Sequence, residues 1–236
     1  MMVLALDTCT EPGSLGLGRD GGTVEARALP DGWQSTTLHR EIARLLEHHG
    51  LRIQDIDGYG VTSGPGSFTG VRLGLTAVKG LAEVNRKPIV PVSTLETVAL
   101  AAAAVSPSPR PRLFAPILDA RRGQVFGALY REEAGRWKSV AEQTVTSLAS
   151  FLDRVTTHAA SEPQLAVTFC GINLAPFVSI SEKAGWHEPL VEVSACLAGP
   201  LVEIVTQRLS EGRGVEASLV EANYVRLSDP ELFWKS

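Results

Sequence analysis

The spacing of apolar residues changes repeatedly along the chain, from short continuous runs to stripes with a helical period. Val3 to Leu6 is a continuous apolar run and predicts a buried strand. Ser14 to Leu17 and Val24 to Leu29 predict two more, separated by Gly21-Gly22. Between Thr37 and Gly50 the period shifts. Leu38, Ile42, Leu45, Leu46 and His49 fall on one helical stripe, with Arg40, Glu41, Arg44 and Glu47 on the other side. Gly50 suits the position just past the end of that helix.

The next unit organises the rest. The apolar run Gly58 to Val61 stops at Thr62, and Gly64, Pro65, Gly66 and Gly70 follow within a few positions. Val71, Leu75, Val78 and Leu81 then recur at helical spacing. This is strand, glycine-rich turn, helix. Ser67 and Thr69 are natural N-cap residues, so the first N–H groups of the helix point into the turn, where an anion is welcome. Gly64, Gly66, Ser67, Thr69 and Gly70 are therefore candidates for a phosphate-binding turn. Asp7 and Thr8 lie in the turn after the first strand. This hairpin start resembles that of sugar-kinase, Hsp70 and actin-type chains, a resemblance that implies a turn facing nucleotide phosphates and so makes both residues candidates for the same site. A solvated turn carboxylate satisfies Asp7 equally well. The glycine-rich turn is not a P-loop, because no Gly-Lys-Ser/Thr closes it. Pro65 occupies a position where a nucleophile elbow around Ser67 needs glycine.

Ile89 to Val92 predicts a further strand. Ser93-Thr94-Leu95-Glu96 has the spacing of a capping box and opens a helix to about Val105. Ser106-Pro107-Ser108-Pro109-Arg110-Pro111 cannot continue that helix. The domain boundary is placed there, giving 1–108 and 109–236. The second half restarts as strands at Leu113 to Leu118, Gln124 to Tyr130 and Trp137 to Val145. Ser147 caps a helix reaching Val155, and Leu165 to Phe169 is another strand. Leu197, Leu201, Ile204, Val205 and Leu209 mark the last helix, expected to pack back on the first lobe. Phe233 and Trp234, at the polar end of the chain, are expected to dock on the body.

Composition narrows the classes. The 236 residues carry a net charge of -4 and are 44% hydrophobic, enough for a sizeable core and against a broad basic face for nucleic acid. Cys9, Cys170 and Cys196 are widely spaced and form no C-x-x-C, which suggests buried, reduced thiols in a cytoplasmic protein. The start, MMVLALDTCTE, has no basic n-region and reads as a strand. No run is long and apolar enough to span a bilayer. His39 has Ala43 one turn on, and His48 and His49 are adjacent, so they are not expected to share a helical face. No metal-binding set is expected from these spacings.

The string GPGSFTGVRLGLTAVKGLA, followed by PIVPVSTLETVA and later by DARRGQVFGALY, resembles the signature of the TsaB (YeaZ) family. That family comprises tRNA threonylcarbamoyladenosine biosynthesis proteins, also described as glycoprotease-like or peptidase M22-like. The likeness runs over nearly all of the first 130 residues and more loosely beyond. It implies an α/β fold of the actin, Hsp70 and sugar-kinase (ASKHA) type: two lobes, each a mixed β-sheet flanked by helices. The tail departs from the family pattern Pro-x-Tyr-Leu-Arg, with Ala222 for the proline and Val225 for the leucine, while Tyr224 and Arg226 fit.

The resemblance also implies a role. Family members pair with the paralogous metal-carrying transferase TsaD through a bundle of two helices, and a small ATPase, TsaE, completes the complex. The chain would then be a non-catalytic assembly subunit, homodimeric through the same helices when alone, touching tRNA only indirectly. The interface candidates are Leu38, Ile42 and Leu45 on one helix and Gly70, Arg72, Gly74, Leu75, Ala77 and Val78 on the other. Gly70, Gly74 and Ala77 form a small-residue strip that suits either a partner helix or ordinary packing. No cofactor is required, although ATP or ADP with Mg²⁺ at the complex interface is compatible with the family. The rival is an enzyme: an ATPase or phosphotransferase using Asp7 and the glycine-rich turn, or a glycoprotease-like peptidase. The absence of H-x-x-x-H argues against a metallopeptidase.

Overall fold

A computed structural model describes residues 1–33, 35–108, 112–133, 136–178, 186 and 190–226. Residues 109–111 of the proline-rich break, and the expected docking of Phe233 and Trp234, lie outside the described residues.

The first sheet contains β1 (Met2–Asp7), β2 (Ser14–Arg19), β3 (Gly22–Ala28), β4 (Gly58–Thr62) and β5 (Ile89–Val92) in the order β3-β2-β1-β4-β5. β1 pairs antiparallel with β2 and parallel with β4, so the sheet is mixed. β1 is buried along its whole length, because both faces of the sheet are covered. On one face Leu4, Leu6, Leu15, Leu17, Tyr59 and Ile89 join a core with residues of α1 (Ser35–His48) and α2 (Phe68–Asn85). In α1 these are Leu38, Ile42, Leu45 and Leu46, the stripe read from the sequence. Gly50, at φ +64°, donates to Glu47 O at 3.0 Å and ends the helix as expected.

The opposite face of this sheet is paved with glycine. Gly16 and Gly18 on β2, with Gly58 and Gly60 on β4, lie beneath Ala198, Val202, Val205 and Leu209. These belong to α5 (Ala198–Ser210). A Cβ on Gly16 would stand 2.8 Å from Ala198 O, and one on Gly58 2.5 Å from Leu209 Cδ1. The bare strands let the helix backbone approach closely. Arg208 of α5 is paired with Glu96 in the first turn of α3 (Thr94–Val105).

The second sheet, β6 (Arg112–Asp119), β7 (Gln124–Glu133), β8 (Arg136–Ser147), β9 (Ala166–Gly171) and β10 (Leu190–Glu192), has the order β10-β9-β6-β7-β8. Its pairing repeats the first: two antiparallel neighbours through β7 and β8, then parallel ones through β9 and β10. α4 (Leu148–Ser161) starts at Ser147, whose side chain accepts from Ser150 N. Phe151 of α4 lies over Gly127, and Phe151, Phe169 and Trp186 form an edge-to-face series at 5.8 Å and 4.6 Å.

Two mixed sheets flanked by helices match the expected fold class. By contacts, one unit comprises Met1–Thr97 and Ala195–Tyr224, and the other Val98–Ser194 with Val225 and Arg226. The 108/109 boundary marks a break in helix propensity, whereas this division follows packing. It falls in the first turn of α3 and assigns α5 to the first unit.

Candidate functional site

β1 delivers Asp7 to the end of the sheet beside Thr62, the last residue of its parallel neighbour β4. Asp7 is fully buried. Its Oδ1 accepts from Thr62 Oγ1 at 2.7 Å and from the Cys9 backbone N–H at 3.0 Å. Its Oδ2 accepts from Thr10 Oγ1. Burial raises the Asp7 pKa, and these hydrogen bonds only partly oppose that. Cys9 Sγ donates to Thr62 O at 3.3 Å, and burial, aided by the Asp7 charge, pushes its thiol up to about 12.

The turn after β1 is pressed against the glycine-rich turn. Ser67 N donates to Cys9 O at 3.0 Å, and a Cβ on Gly66 would stand 2.5 Å from that same oxygen. Thr8 Oγ1 donates to Gly70 O at 2.7 Å. A Cβ on Gly70 would overlap the Thr8 carbonyl, and one on Gly74 the Thr8 hydroxyl. Ser67 caps α2 as expected, accepting from Gly70 N at 3.2 Å.

The segment after α5 closes the other side of the turn. Asn223 N donates to Ser63 O at 2.7 Å, and its side chain reaches Gly64 O at 3.4 Å. Gly64, at φ +109°, could carry no side chain here, since its Cβ would stand 2.7 Å from Asn223 O. Tyr224 stacks at 5.2 Å on Phe68 and accepts from Arg72 Nε at 3.0 Å. The Arg72 guanidinium lies 3.9 Å over the Phe68 ring.

The phosphate-turn candidates are thus brought together, but they face one another. Asp7, Thr8, Gly64 and Gly70 are buried, Gly66 is half-buried, and Ser67 and Thr69 are exposed. Cys9, Thr10 and Thr62 complete the Asp7 environment. Sequence spacing does not single out Thr62, because its role follows from β4 lying beside β1.

The interface candidates are distributed differently. Leu38, Ile42, Leu45, Leu75, Ala77 and Val78 are buried in the unit's own core. Gly70 and Gly74 are spent on Thr8. Arg72 alone of that set is exposed. The outward face of α2 carries Thr69, Arg72, Thr76, Gly80 and Glu83, with half-buried Leu73 and Val84 at 82% exposure. On α1 the exposed positions include His39, Ala43 and Glu47. The small-residue strip read from sequence is therefore internal, and a further small residue, Gly80, lies outside it.

The tRNA threonylcarbamoyladenosine biosynthesis protein TsaB of Escherichia coli is 32% identical over 228 residues, covering 96% of this chain and 95% of its own. This chain belongs to the TsaB family. A family model described as TsaD, tRNA N6-adenosine threonylcarbamoyltransferase, matches residues 34–212 of this TsaB-family chain. A tRNA N6-adenosine threonylcarbamoyltransferase of Methylobacterium nodulans is 49% identical over 65 residues, 28% of this chain and 19% of its own. YeaZ of Pseudomonas aeruginosa superposes with a TM-score of 0.71 at 24% identity, covering 94% of this chain and 100% of its own, which establishes the shared fold.

The histidines in this TsaB-family chain fall out differently from the sequence reading. α1 ends at His48, so His49 is the first residue beyond the helix and is not bound to its geometry. His48, His49 and Glu25 of β3 each place a ligand atom within 4.8 Å of the others. The argument from helical faces does not apply across a helix end.

Proposed function

We propose that the chain serves threonylcarbamoyladenosine biosynthesis in tRNA as a non-catalytic subunit that docks and organises a TsaD-like transferase. Membership of the TsaB family over nearly the whole length supports the pathway. The observation that carries the non-catalytic reading is the state of Asp7. Its oxygens accept from Thr62, Thr10 and Cys9, and the neighbouring donors are spent within the turns, Ser67 N on Cys9 O and the Thr8 hydroxyl on Gly70 O. A catalytic or metal-positioning carboxylate needs lone pairs directed at a ligand.

Docking falls to the outward faces of α1 and α2. Thr76 and Gly80 keep α2 low and Val84 offers an apolar contact, so a partner helix can lie close along this side. The same surface, meeting a second copy, gives a homodimer when the transferase is absent. A TsaE-like ATPase completes the assembly, tRNA is contacted only through the partner, and any nucleotide with Mg²⁺ sits at the complex interface. The site of action is the cytoplasm, where tRNA is modified.

The test is the threonylcarbamoyladenosine content of tRNA, read by mass spectrometry, in cells lacking this chain. Wild type and Asp7→Asn both restore the nucleoside, whereas Gly80→Arg does not. A folded Asp7→Asn that fails to restore it makes Asp7 part of the chemistry and removes the non-catalytic reading.

A further inference from the structure

Glu25, His48 and His49 are brought together at the edge of the first sheet. Glu25 lies on the edge strand β3, His48 closes α1, and His49 starts the turn after it. His49 Nε2 and Glu25 Oε2 are 2.8 Å apart, and the two imidazole rings stand edge to face at 5.0 Å. Arg27 Nη1 lies 3.7 Å from the other Glu25 oxygen, so one oxygen is turned to Arg27 and its fellow to the imidazole. The Arg27 charge is itself shared with Glu41, whose carboxylate lies 3.9 Å away and whose carbonyl accepts from Arg27 at 2.8 Å.

We propose that Glu25, His48 and His49 form a binding site for a zinc-like divalent transition metal ion. Two imidazoles and one carboxylate are a donor set that suits zinc, nickel or copper rather than magnesium or calcium. Metal–nitrogen bonds of about 2.0 Å place tetrahedral ligand atoms roughly 3.3 Å apart. The set must therefore close from its present span of up to 4.8 Å. His48 is exposed and can make that movement, while Glu25 and His49, at 25% and 21% side-chain exposure, are already fixed against each other. The ion replaces the proton between His49 Nε2 and Glu25 Oε2, and water supplies the remaining position. Two surroundings favour it. The C-terminal end of α1 presents the negative end of the helix dipole to a cation. Arg27 orients the ligating carboxylate from behind, as outer partners of metal ligands do. The consequence is a clip that ties the end of α1 to the sheet edge, independent of the docking role.

The experiment uses the untagged, metal-free full chain, titrated calorimetrically with zinc chloride and melted with and without it. One ion binds per chain, a large excess of magnesium does not displace it, and the melting midpoint rises. His48→Ala, an exposed substitution that leaves the core untouched, weakens binding by about tenfold or more, as does Glu25→Gln. His39→Ala changes nothing. Cobalt in place of zinc gives visible bands without the thiolate charge-transfer absorption that Cys9, Cys170 or Cys196 would add. Absence of saturable binding, or affinity unchanged in the His48→Ala, Glu25→Gln double variant, overturns the site.

Discussion

Thr8 and Gly70 are locked together: Thr8 Oγ1 donates to Gly70 O at 2.7 Å, where a Cβ on Gly70 would overlap the Thr8 carbonyl. One turn on, Gly74 meets the same threonine's hydroxyl. The start of α2 is seated on the turn after β1 because these two positions have no side chain. Gly70→Ala and Gly74→Leu therefore destabilise the chain by at least the roughly 1–3 kcal/mol of an overpacked core. Thermal unfolding checks this, with each kcal/mol lowering the midpoint by about 2–4 °C at this size. An unchanged midpoint would mean that the joint is slack.

The contrast on the same helix is Gly80. It is exposed, and nothing lies within 4 Å of an added Cβ. Gly80→Ala is expected to stabilise the chain by about 0.5–1 kcal/mol, since glycine in a helix interior is entropically costly. Gly80→Arg should fold normally yet lose the partner, a split read by melting the variant and by mixing it with the transferase.

Gly70, Gly74 and Gly80 show what is legible in the chain. Strand, glycine-rich turn and helix follow directly from periodicity and turn chemistry, and so do the α1 stripe and the Ser67 cap. A strip of small residues says only that something comes close. Thr8, distant in sequence, supplies that neighbour at Gly70 and Gly74. Gly16, Gly18, Gly58 and Gly60 pose the same problem, for their purpose appears only once α5 is seen to return to the first sheet. The His48, His49 and Glu25 set was hidden because it depends on where α1 ends and on the position of β3.

Asp7 makes stability depend on pH. Burial raises its pKa above the ordinary 3.8, so the folded chain holds a proton that the unfolded chain releases. Stability from this group is full below the unfolded value and is lost as pH rises through the folded one. Asp7→Asn keeps the shape without the charge, so its stability relative to wild type should improve from pH 4 upward. Urea midpoints of both proteins at several pH values test this, and a constant difference would refute it.

Tyr224 fastens the end of the first unit to α2 through Phe68 and Arg72. It is partly exposed, so Tyr224→Ala should cost no more than about 1 kcal/mol globally, by loss of one hydrogen bond and a ring contact. The local effect is larger. Amide exchange at Asn223, whose N–H is held by Ser63 O, should speed markedly in the variant. Unaltered exchange would mean that Asn223 alone holds the segment.

The most direct measurement of the central claim is light scattering after size exclusion, on the chain alone and mixed with the TsaD-like protein of the same genome. A homodimer that exchanges into a one-to-one complex, and fails to do so as Gly80→Arg, is the predicted result. A chain that ignores the TsaD-like protein, or a Gly80→Arg variant that binds it as wild type does, would contradict the docking role assigned to the outward face of α2.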